Sequence, residues 1–177
     1  MMYQSERSWG TVSDYKRDSA IAGAEAGLIS GLVMMLALMV YTAALGEGFF
    51  FPLQQIAATF LGVEALIGGV GTILLGAAIH FAVAAAWGTG FGLMIPPVTS
   101  SSSAAGWGAV YGVGVWLVMT FVALPIFDPV MSDRVALYSG WWFTSHLLYG
   151  AVLGLTPELT QQILVSETHS ETYRRAA

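Results

Sequence analysis

The chain has 177 residues, no cysteine, a formal net charge of −5, 56% hydrophobic residues and 10% charged residues. A soluble domain carries about 25% charged residues, so this composition excludes an ordinary soluble domain and predicts one compact membrane-embedded unit. The missing cysteines exclude disulfides, thiolate zinc sites, iron–sulfur clusters and thioether-linked haem, and the lack of a basic cluster excludes a nucleic-acid surface.

Four apolar runs, about 20–45, 66–95, 104–125 and 134–155, each supply the roughly 20 residues that a spanning helix needs. The expected fold class is all-α: a polytopic membrane protein with four transmembrane helices in a glycine-rich bundle. The transmembrane domain is expected over 20–156, between a polar cytoplasmic tail at 1–19 and a cytoplasmic short helix and tail at 157–177.

The first span carries Gly23, Gly27 and Gly31 at four-residue spacing, a row along which another backbone can approach closely. Glu25 lies about a turn inside it. It reads as an interfacial carboxylate or as a possible proton site. Gly46 and Gly48 break the helix. An amphipathic helix follows at about 52–61, with Leu53, Ile56, Ala57, Phe60 and Leu61 on one face.

The second span places Gly76, His80, Ala84, Gly88 and Gly92 one turn apart and ends at Pro96-Pro97. A serine-rich turn leads to the third span, where Gly108 and Gly112 share a face. Ser132 or Asp133 is the expected cap of the fourth span, which holds His146, Gly150 and Gly154. Tyr138, Trp141 and Trp142 in its early turns fit an aromatic belt. Thr156-Pro157-Glu158 then reads as a helix start, with a short surface helix to about Val165.

An even number of spans puts both termini on one side. Five of the six Lys and Arg residues lie in the tails, and Arg134 is the exception. The positive-inside rule therefore predicts cytoplasmic termini. The two halves also suggest a parallel two-helix repeat. Equating Gly31 and His80 with Gly112 and His146 leaves a difference in spacing about the size of the amphipathic helix, which the second half is expected to lack.

The two histidines carry the chemical interest. Each shares a face with glycines, so each is expected to point at protein at a similar depth. In one reading each imidazole bonds a neighbouring helix, and no cofactor is held. In a second, His80 and His146 ligate one haem b from opposite faces. In a third, Glu25 and the histidines form a proton-linked pathway in a small transporter. Walker loops, HExxH, clustered histidine boxes and GxSxG are missing from the sequence, so no enzyme is expected. The leading expectation is a structural or accessory subunit of a larger membrane assembly. Its expected partners are the lipid bilayer and other membrane subunits or further copies of itself, with no nucleic acid.

The glycine-rich first span, the aromatic-proline segment Phe49–Pro52 and the histidine-glycine rows resemble small bacterial inner-membrane proteins of unknown function, including the YagU-like group. The resemblance implies a four-helix fold and a bacterial inner (cytoplasmic) membrane setting, and no activity.

Overall fold

The computed structural model describes residues 12–96 and 99–176, with side chains described throughout except at 12–14, 130 and 167–176. Of the tail expected at 1–19, residues 1–11 lie outside the described residues, as does Pro97, while 12–19 are helical and continue into the first span. All regular elements among the described residues are helical. Three helices are long and apolar enough to cross a membrane: Tyr15–Ala44, Val70–Met94 and Ser101–Phe127.

The first of these belongs to α1 (Val12–Ala44), a single helix of 33 residues. At 1.5 Å per residue it is about 50 Å long, well beyond a hydrocarbon core of about 30 Å. A turn through Gly46 and Gly48, both at positive φ, leads to α2 (Phe51–Leu61). Pro52 sits in the first turn of α2, where an N–H would have no helical partner. A 3-10 turn at Val63–Ile67 follows, and α3 (Val70–Met94) starts only after Gly68 and Gly69.

The serines read as a turn instead open α4 (Ser101–Val118). The Ser100 hydroxyl accepts the Ser103 N–H at 3.3 Å and caps the helix. The chain continues through a π-helical segment, Met119–Ala123, into α5 (Leu124–Phe127). Pro125 accounts for the wide turn. It has no N–H to offer the Phe121 carbonyl, and its ring crowds that carbonyl.

The run expected as one helix over 134–155 is divided. Asp128, and neither Ser132 nor Asp133, is the cap: its carboxylate accepts the Met131 N–H at 2.8 Å and starts α6 (Pro129–Leu137). Tyr138 leaves helical geometry, with φ −117° and ψ 28°. Next come α7 (Ser139–Val152) and a 3-10 turn at Leu153–Leu155. The last helix, α8 (Thr156–Ala176), runs well past the expected end near Val165. The second half therefore does contain a counterpart of α2. Like α2, α6 is a short helix opened by proline.

Two helix pairs make the molecule, α1 with α3 and α4 with α7. Both are backbone-to-backbone contacts. A Cβ placed on Gly88 would overlap the Gly23 carbonyl oxygen and lie 2.6 Å from the Gly27 Cα. In the second pair, a Cβ on Gly150 would overlap the Gly108 carbonyl oxygen and lie 2.9 Å from the Gly112 Cα. Gly31 abuts Ala84 and the His80 ring, Gly92 abuts Ser19, Gly154 abuts Ala105, and Gly76 faces Leu53 of α2.

These contacts correct the register of the repeat. They match Gly23 with Gly108, Gly27 with Gly112 and Gly88 with Gly150. His146 then stands where the first pair has Ala84, and the counterpart of His80 is Trp142. The two histidines are offset by one helical turn.

The pairs meet through α1 and α7, and α8 lies on α1. Asp18, Ser19, Thr156 and Thr160 are buried at that end. Asp18 is paired with Arg17 at 2.9 Å. At the opposite end Thr59 of α2 donates to Asp128 at 2.7 Å, and Tyr138 donates to Glu47 at 2.6 Å.

Candidate functional site

A cavity of about 380 Å³ lies between the two helix pairs. Its walls are largely apolar, among them Met34, Leu38, Val83, Val115, Met119 and Leu124. Both His80 and His146 line it, together with Trp87, Trp142 and Tyr149. The cavity exists because α3 and α4 barely touch. One bond closes their seam near the serine-rich turn, where the Tyr111 hydroxyl donates to the Trp87 carbonyl at 2.8 Å. Farther along, the π segment carries Met119 and Ala123 into the wall.

The two ends of the cavity differ in chemistry. The mouth, away from the termini, gathers Glu47, Gln55, Thr59, Asp128, Arg134 and Tyr138. The Arg134 guanidinium lies 5.9 Å from the centre of the Phe51 ring. Tyr41 stacks on Trp141 at 4.8 Å and meets Tyr138 edge-on at 6.2 Å. Toward the middle of the helices the polar groups are few and internally bonded. The Tyr149 hydroxyl donates to the Ala84 carbonyl at 2.7 Å and ties α7 to α3. The Trp142 ring N–H donates to the Thr120 hydroxyl at 2.8 Å and ties α7 to the π segment.

The histidines are held by carbonyl oxygens. His80 Nε2 lies 2.9 Å from the Gly31 oxygen on α1, and His146 Nδ1 lies 2.8 Å from the Trp142 oxygen on its own helix. A carbonyl oxygen accepts and cannot donate, so the nitrogen facing it carries the hydrogen. A neutral His80 is then protonated on Nε2 and a neutral His146 on Nδ1. This leaves His80 Nδ1 and His146 Nε2 as bare lone pairs, and neither has a hydrogen-bond partner among the described residues. His146 is 3% exposed, and its ring meets the Trp142 ring edge-on at 4.4 Å.

Glu25 is exposed on the outside of α1 and is not part of the cavity wall. No group of three or more His, Asp or Glu side chains suited to a metal ion occurs among the described residues. Sequence reasoning missed Asp128 and Arg134 as mouth residues and read Trp142 as an interfacial aromatic. Trp142 is buried inside the bundle. A Trp next to a four-residue glycine row is the one sequence signal that points inward, because the row marks the buried face.

Fold and site define an all-helical protein with three helices fit to cross a membrane and a largely apolar cavity between two glycine-sealed pairs. The chain belongs to DUF6789, a family of unknown function, whose model matches residues 17–167. No curated protein and no solved structure matches it.

Proposed function

We propose that this is a four-span membrane protein that binds a small lipophilic molecule, taken from the bilayer, in the cavity between its helix pairs. The cavity carries the reading. Its volume of about 380 Å³ falls within the roughly 300–1,000 Å³ range of small-molecule sites. An apolar occupant keeps water off its largely apolar walls. The loosely packed seam between α3 and α4 gives a lateral way in from lipid.

In this reading α7 with its 3-10 extension, Ser139–Leu155, is the fourth span. At 1.5 Å per residue it is about 25 Å long, and α8 continues it. The packing of α8 on the start of α1 supports an even number of spans. Lys16 and Arg17 at that end support cytoplasmic termini, and a bacterial inner membrane of the YagU-like kind is the setting the sequence pattern favours.

The other roles fit less directly. All ten glycines expected to hold partner helices face this chain's own atoms, so an accessory subunit would have to dock through another surface. A proton pathway through Glu25 would need that carboxylate inside the bundle, and it is exposed. Haem b is the second reading, favoured by His146. A ring whose Nδ1–H is fixed by a carbonyl and whose Nε2 is free has the usual arrangement of a metal-bound imidazole. His80 fits less well, because its Nε2 faces Gly31 and Nδ1 would have to be the ligand.

Native mass spectrometry of protein released from nanodiscs tests the proposal. Wild type should retain a small lipophile, and Val83→Trp, which fills the cavity from α3, should not. A wild-type protein that carries no adduct, and whose melting temperature is unmoved by any added alkylbenzene, alkylphenol or alkylquinone, would overturn it. A visible absorption band lost in His146→Ala would install haem b in its place.

A further inference from the structure

We infer that the ligand of this cavity carries a hydroxyl hydrogen, as a phenol or quinol does, and that His146 Nε2 receives it. The inference rests on the cavity being a lipophile site and adds the chemistry of the ligand.

Around the histidines the donated hydrogens are already engaged and acceptor sites are left over. The hydrogen on His146 Nδ1 is engaged by the Trp142 carbonyl, and that on His80 Nε2 by the Gly31 carbonyl. The Tyr149 hydroxyl hydrogen goes to the Ala84 carbonyl, and the Trp142 ring hydrogen goes to Thr120. What this region still offers is lone pairs: His146 Nε2, His80 Nδ1 and the second acceptor site of the Tyr149 oxygen. A buried acceptor left without a donor is costly, so a molecule that brings a hydrogen gains where one that brings a second acceptor does not. Two ring donors on the lining also lack a partner among the described residues: the Trp141 N–H, at the mouth and stacked on Tyr41, and the Trp87 N–H, whose ring meets Tyr111 edge-on at the seam between α3 and α4.

Geometry selects His146 over His80 as the receiver. In an imidazole Nδ1 lies next to Cβ and Nε2 at the far edge of the ring. His146 turns its near edge back on its own helix, so its bare nitrogen is at the outer tip. His80 directs its outer tip at α1, so its bare nitrogen lies close to its own backbone. The indole of Trp142, edge-on to His146, and the ring of Tyr149 on the wall of the same cavity provide aromatic surface in the site. That surface favours an aromatic alcohol over an aliphatic one.

Isothermal titration of the full-length protein in detergent, with a para-alkyl phenol, its methyl ether and an alkanol of the same chain length, tests the inference. The ether keeps the shape and removes the donated hydrogen. Wild type should bind the phenol tighter than the ether by roughly five- to tenfold, the worth of one hydrogen bond to a buried acceptor. It should also bind the phenol tighter than the alkanol. In His146→Phe the phenol should fall to the affinity of the ether while the ether is unchanged. The wild-type comparison needs no variant, so a His146→Phe protein that fails to fold leaves the test intact. Equal binding of phenol and ether to wild type would overturn the donor inference and leave the lipophile site standing. Binding of none of the three would overturn both.

Discussion

The two helix pairs share one sealing device and use their histidines differently. In α1–α3 and in α4–α7 the helices approach until a Cβ would strike the opposing carbonyl. In the first pair the histidine lies two turns before Gly88 of the glycine crossing and bonds across to the other helix, at Gly31. In the second pair the histidine occupies the place of Ala84 and bonds its own helix. One imidazole therefore joins two helices, and the other is oriented and left with a free outer nitrogen. The same residue type in nearly the same context joins two helices in one pair and keeps its bond within a single helix in the other.

The widest departures test what the pairs share. Gly88→Leu and Gly150→Leu should each destabilise the protein by more than the roughly 1–3 kcal/mol typical of overpacking, because the new side chain meets backbone and not a movable side chain. Size-exclusion profiles and thermal melts in detergent check this, and two monodisperse variants with wild-type melting temperatures would refute it. Combining Gly23→Leu with Gly108→Leu should cost about the sum of the two single changes, since each pair is closed by its own contacts.

The difference between the pairs is sharpened by the histidines. His80→Ala should cost about 0.5–1.5 kcal/mol, because it breaks an interhelical hydrogen bond. His146→Ala should cost less through hydrogen bonding, since the bond it loses lies within one helix. Comparing the two in one denaturation series is decisive: a reversed order would mean that His146, and not His80, holds the bundle together.

A bond from α7 to the π segment should follow. Thr120→Val removes the acceptor of the Trp142 ring hydrogen and leaves that buried donor alone, at a cost of roughly 1 kcal/mol. Its readout is a shift in tryptophan fluorescence together with the melting temperature. The smallest change is expected from Glu25→Gln, on the outer surface of α1, where surface substitutions usually stay within about 0.5 kcal/mol. Reporter fusions complete the series. Alkaline phosphatase should be active at Glu64 and Pro129 and inactive at Ser101. The reverse pattern would invert the two ends of the cavity.

Apolar run length and the four-residue glycine rows determined, from sequence alone, that the chain is helical and membrane-suited and which faces of its helices are narrow. Those features are local: a run of uncharged residues must be helical in lipid, and a glycine row lacks side chains wherever it packs. The histidines could also be singled out, as the titratable groups on those rows. Register was undetermined. A row that repeats every four residues looks the same after a shift of four, so the sequence equated His80 with His146 when the contacts equate His146 with Ala84.

The start of α6 was hidden as well, because Asp128-Pro129 reads equally as the end of one helix and the cap of the next. Only the tertiary structure decided which carbonyl each imidazole meets, and so which nitrogen is bare. A side-chain tautomer is set by its nearest acceptor, and that acceptor lies across a helix contact for His80 and one turn back on the same helix for His146. The cavity is likewise a tertiary fact. It follows from two pairs that close tightly within themselves and loosely against each other, a difference that no single segment encodes.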